Sequence, residues 1–178
     1  MSQQQQAPAS LPEKMTLYTG SLLFLFVLGV IVSWILLGTF VFGITSFFAS
    51  FLLLWYWASV EKAEISRLPA SVIGALVGLA LAWQLQFLSG QFGLNGLIAG
   101  LIVVAAAVFV QIMNWIPIAV NASAMLFLTA LSAPALMTTM NFVEVAEAVG
   151  FGAIFFGVAV YLAKLYVDAQ TKAKAQTA

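Results

Sequence analysis

Long runs of apolar positions, interrupted at a few polar or charged points, organise this chain. Between Lys14 and Glu61 lie 46 residues without a charge, between Arg67 and Glu144 lie 76, and between Glu147 and Lys164 lie 16. A helix crossing the hydrocarbon core needs about 20 apolar residues. The three runs therefore hold two, three and one spans, six in all. Breakers place the joints: spans are expected at 17–37, 39–60, 68–88, 95–113, 117–137 and 148–167. Pro69 and Pro117 each open a span, where the missing N–H costs nothing. Ser89-Gly90-Gln91-Phe92-Gly93 reads as a turn, Asn114-Trp115-Ile116-Pro117 as a tight joint, and 138–144 as a loop. The apolar runs are continuous and far longer than the alternating ten-residue strands of a membrane barrel. The expected fold is all-α: a polytopic transmembrane bundle over 16–168, with disordered polar tails at 1–15 and 169–178.

The cations orient the bundle. With six spans both termini share a face, and if that face is cytoplasmic, Lys14, Lys62, Arg67, Lys164, Lys172 and Lys174 all lie on it. Only Glu144 and Glu147 remain for the other face. Trp55, Trp57 and Trp115 then fall near inner span ends, and Trp34 and Trp83 near outer ends, as an aromatic belt.

Composition narrows the chemistry. The chain is 63% apolar and 7% charged, with zero formal net charge. A soluble domain carries about 25% charge, and a nucleic-acid binder needs a basic face. There are no cysteines and no histidines. That removes disulfides, thiolate and imidazole metal sites, and imidazole acid–base chemistry. No ionisable residue is placed at mid-membrane, where coupled carriers hold theirs. No enzyme, cofactor or metal is expected.

The remaining polar residues are few enough to name. Asn114, Asn121 and Ser132 are seven and eleven apart, so on one helix they would share a face, with Thr129 at its edge. They either hydrogen-bond between helices or line a solute path. Gly74 and Gly78, and Gly96 and Gly100, are spaced four apart, as close helix packing requires. Gln84, Gln86, Gln91 and Asn95 cluster at the outer turn between spans three and four. Glu144 and Glu147 would form an outer anionic rim, with a proton site as the rival reading. Leu68-Pro69-Ala70-Ser71-Val72 and Ile116-Pro117-Ile118-Ala119-Val120 match, which suggests a duplicated helix hairpin in parallel orientation rather than an inverted three-plus-three repeat.

Phe47-Phe48-Ala49, Tyr56-Trp57-Ala58, the run from Gly74 to Trp83, and Trp115-Ile116-Pro117 together resemble the uncharacterised bacterial inner-membrane family called domain of unknown function 1097. The similarity covers roughly 20–165. The charged segment from Glu61 to Arg67 stands where that family has a glycine-rich loop. The resemblance implies a six-span protein of the bacterial inner membrane and carries over no catalytic residue.

Two functions fit. One is a homo-oligomeric channel or facilitator for a small neutral or weakly polar solute, its path lined by Asn121, Thr129, Ser132 and Asn114. The other is an accessory or assembly subunit of a larger membrane complex. The lipid bilayer is the expected surrounding in both cases, and nucleic acid is a partner in neither.

Overall fold

The computed structural model describes residues 17–133 and 140–176, and it is helical with no strand among them. Five α-helices follow in order: α1 (Leu17–Phe42), α2 (Phe47–Ser59), α3 (Leu68–Ile112), α4 (Ala122–Leu131) and α5 (Phe142–Gln176). A 3-10 turn, Ile65–Arg67, precedes α3. Three stretches are long and apolar enough to cross a membrane: Gly20–Phe42, Ile65–Ile112 and Phe142–Gln170. This is a membrane protein by length and composition of its helices. The expected N-terminal tail, Pro134 and Thr138 lie outside the described residues.

The chain falls into two compact units, Met1–Ser33 and Trp34–Ala178. In the first, residues 17–33 are helical throughout. Two of its serines bond to their own helix: Ser21 donates to Leu17 O and Ser33 to Gly29 O, each at 2.8 Å.

In the second unit, α1 ends where Gly43 takes a left-handed conformation (φ 66°). The Ile44 N–H then returns to Gly38 O at 3.0 Å, satisfying one of the carbonyls a helix end leaves free. The expected second span, 39–60, is therefore divided: residues 39–42 end α1, 43–46 are non-helical, and α2 runs from Phe47 to Ser59. Thirteen residues rise about 20 Å, short of the roughly 30 Å hydrocarbon core.

The segment after α2 is stitched to both neighbours. Trp57 Nε1 donates to Glu64 O at 2.8 Å, and the Tyr56 hydroxyl to Glu61 at 3.1 Å. Lys164 Nζ reaches the Ala63 carbonyl at 3.2 Å. Trp57 is fully buried and Trp34 is 2% exposed, packed between Phe47 and Phe156. Neither indole stands in an aromatic belt. Trp55, Trp83 and Trp115 are exposed.

Helix α3 is two helical limbs that meet at Gly93. Gly93 has φ 57° and ψ −133°, a non-helical conformation open to glycine. A Cβ on Gly100 would lie 2.8 Å from Leu85 Cδ2. Fifteen residues of straight helix would separate those positions by about 22 Å, so the chain reverses at Gly93. The expected turn at 89–93 is reduced to Gly93, with residues 89–92 helical, and the flanking runs are two limbs, 68–92 and 94–112.

The fifth span departs most from expectation. Pro117 does not open a helix: residues 113–121 are turns, with Asn114 in the left-handed region (φ 52°). Helix α4 starts at Ala122, capped by Asn121, whose side-chain oxygen accepts the Ala124 N–H at 3.2 Å. It runs ten residues, about 15 Å. Pro69 sits in the first turn of α3, so the two prolines occupy different structural positions and the parallel hairpin duplication they suggested has no counterpart. At the other end, Asn141 Oδ1 accepts the Val143 N–H at 3.1 Å and starts α5 six residues before the expected 148. Helix α5 then continues to Gln176, through the segment expected as a disordered tail.

Four segments build the core: α2, the first limb of α3, α4 and α5. Leu53, Leu79, Phe127, Leu131, Val145 and Val149 are buried together there. They pack as two parallel pairs. Helix α4 follows α3, since Asn121 meets Ala70 and Gly74 while Ala124 and Phe127 meet Gly78. Helix α2 follows α5, since Thr45 meets Glu144 and Ser50 meets Ala148 and Gly152. The pairs run in opposite directions, because Gly157 lies on Leu68 while Ala153 and Val72 line a shared groove.

Candidate functional site

The expected path-lining residues separate into engaged and unengaged groups. Asn121 is engaged on every side. Its amide nitrogen donates to Ala70 O at 2.9 Å, Pro117 O at 3.2 Å and Ile118 O at 3.3 Å, while its oxygen caps α4. It staples the start of α4 to the start of α3. Thr129 is exposed and donates to Met125 O of its own helix at 2.8 Å. Asn114 is exposed in the turn before α4, so the helical face expected to align it with Asn121 and Ser132 does not form.

Ser132 differs. It ends α4, and its hydroxyl is buried without a partner. The Gln84 amide shares this condition at both its nitrogen and its oxygen. Trp34 Nε1 completes the set of buried side-chain polar atoms without a partner among the described residues. A buried donor or acceptor left unmade costs about 1–3 kcal/mol.

Gln84 and Ser132 lie at one height. Gly78 touches the α4 backbone at Ala124 and Leu128. From there Gln84 is six residues further along α3, about 9 Å, and Ser132 is four to eight further along the parallel α4, about 6–12 Å. Gln84 also faces Gly100 of the returning limb: a Cβ there would come within 3.1 Å of Gln84 Nε2. The Gln84 amide and the Ser132 hydroxyl thus lie unmatched at a similar level of the α3–α4 pair, but Gln84 is six residues, about 240° of helix, from the Gly78 line that meets α4, and it turns toward Gly100 of the returning limb. The sequence placed Gln84 in an interfacial turn cluster and Ser132 on a separate face. Nothing in either local pattern shows that α4 ends level with Gln84.

The expected packing glycines all sit at close approaches. Gly74 faces the Asn121 amide, Gly78 the α4 backbone, Gly96 the Leu88 carbonyl, and Gly100 Leu85. All four are buried.

Glu144, expected at the end of the 138–144 loop, is in the first turn of α5, and Glu147 follows it on the same helix. Glu144 Oε1 accepts the backbone N–H groups of Thr45 and Ser46, each at 2.9 Å, and the Thr45 hydroxyl. Ser46 makes no side-chain cap of its own. Glu144 therefore supplies the negative end that a helix N-terminus favours. Glu147 is exposed and borders a groove of about 800 Å³ whose other walls include Phe42, Phe151, Ile154, Phe155 and Leu162. No group of three metal-ligating side chains occurs among the described residues. The chain matches no family model, no curated protein and no solved structure.

Proposed function

We propose that this protein is a channel or facilitator for a small neutral or weakly polar solute. It crosses the bacterial inner membrane six times with both termini cytoplasmic, two of the crossings being the short helices α2 and α4 extended by the non-helical residues before them, acts as a homo-oligomer, and uses no cofactor and no catalytic chemistry. The two opposed parallel pairs, and the reversal at Gly93, support alternating crossings. The resemblance carried by the aromatic and Trp-Ile-Pro motifs supports the inner membrane.

The observation that carries the solute reading is the unmatched polar set of Gln84 and Ser132. An amide and a hydroxyl offer donors and acceptors without charge, which suits urea-like or polyol-like solutes and penalises ions. Flux of urea and glycerol into proteoliposomes tests it. Gln84→Leu and Ser132→Ala should each lower flux severalfold while insertion and elution stay unchanged. Unaltered flux in both variants contradicts the assignment.

The second reading, an accessory subunit, draws on the apolar groove beside Glu147. Its sign is co-purification with fixed partner subunits and no flux from the isolated protein.

A further inference from the structure

Among the described residues, the side-chain hydrogen bonds that hold the starts of α2 and α4 share one property: each joins the part of the chain before Gly93 to the part after it. Asn121 donates to Ala70 O and Ser123 to Ser71 O, tying α4 to α3. Ser50 donates to Ala148 O, and Glu144 receives Thr45 and Ser46, tying α2 to α5. The two sets correspond. In each, a helix too short to cross the hydrocarbon core lies parallel to a long helix of the other half. In each, a serine of the short helix's first turn donates to a carbonyl within two turns of the long helix's start. In each, the long helix turns a glycine to a polar side chain at the start of the short helix, Gly152 to the donating Ser50 and Gly74 to the cap residue Asn121. In each, the start of the short helix is held by a side chain acting across the halves.

The order of elements repeats as well. α2 and the first limb of α3, a short helix and then a long one, correspond to α4 and α5. Because the α2–α5 pair runs opposite to the α3–α4 pair, the second set is inverted relative to the first. Inverted repeats with shortened helices are the architecture in which two halves rock about a site where they meet.

We infer that residues 34–176 form two inverted halves, each with a short helix laid along a long helix of the other, and that the polar ties at the starts of α2 and α4 are two opposed gates between them. The α2–α5 tie closes one face of the membrane and the α3–α4 tie closes the other. The protein then passes its solute by alternating exposure rather than through a standing pore. This rests on the transport reading, but its readout is accessibility, so a failure of flux and a failure of gating are separately visible.

The chain has no cysteine, so single reporters are clean. Ala49→Cys on α2 and Ala124→Cys on α4 replace fully buried alanines of similar size. Each is treated with a membrane-impermeant maleimide in vesicles of both orientations. In the wild-type background, the two reporters should react slowly and from opposite faces. Adding Glu144→Gln should speed labelling at position 49 severalfold and leave position 124 unchanged. Adding Ser123→Ala should do the converse. Labelling of both reporters from one face overturns the inference, and so does joint acceleration by either tie variant. The wild-type comparison decides the matter even where a tie variant fails to fold.

Discussion

Gly78→Ala is the sharpest test of how α3 and α4 are held. A Cβ at Gly78 would overlap the Ala124 carbonyl oxygen and lie 2.8 Å from Phe127 Cβ and 2.9 Å from Leu128 N. Those atoms belong to backbone or to a Cβ, so no rotamer change relieves them. Carbon atoms in contact prefer about 3.5–4.0 Å, so α4 must withdraw by roughly 1 Å. Overpacking of this kind costs about 1–3 kcal/mol. Alanine also returns about 1 kcal/mol of helix propensity over glycine. Gly150→Ala gains the same propensity inside α5 with nothing within 4 Å of the added methyl. Their difference isolates the steric term. Reversible unfolding in mixed detergent micelles should find Gly78→Ala less stable than Gly150→Ala by about 1–3 kcal/mol. Equal stabilities would refute the close approach of α3 and α4.

Other consequences follow from single contacts. Asn121→Ala should destabilise by about 1–2 kcal/mol through the lost cap. Asn121→Asp should recover part of that in the same assay, because it keeps the cap acceptor while losing the donor to Ala70 O. Trp57→Phe should cost about 1 kcal/mol by leaving the Glu64 carbonyl without its donor, read as a lower melting temperature in detergent. Glu144→Ala should destabilise more than Glu147→Ala, since three donors converge on Glu144 while Glu147 is exposed. Equal melting temperatures for the two glutamate variants would remove the capping role.

Much of the fold was readable because charge and turn residues are local signals. The turn ending at Gly93 is announced by Ser89-Gly90-Gln91, and the segment from Glu61 to Arg67 by its charges. The packing glycines stood out by spacing alone. The short helices did not. In a chain this apolar, hydropathy continues past the end of a helix, so hydropathy did not mark Phe42 as the end of α1 or Leu131 as the end of α4; the local stop signals were Gly43 and Pro134. Pro117 was a misleading start signal, because Asn114 bends the backbone and Asn121, four residues later, provides the cap. That Asn121 could cap was legible from its type and the Ala-Ser-Ala run after it. Contacts across about a hundred residues, such as Glu144 on Thr45, left no local pattern at either end. The unmatched state of Gln84 and Ser132 is likewise a property of what surrounds them.

The most direct test of the solute path is water access at that polar pair within a bilayer. Gln84→Cys, Ser132→Cys and a control, Leu53→Cys in the apolar core, are reconstituted in vesicles. Each is then exposed to a small uncharged water-soluble thiol reagent. The account predicts that Cys at 84 and 132 reacts, that Cys at 53 does not, and that urea or glycerol slows the reaction at the first two. Silence at both polar positions, or reaction equal to that at 53, would contradict a path running past Gln84 and Ser132.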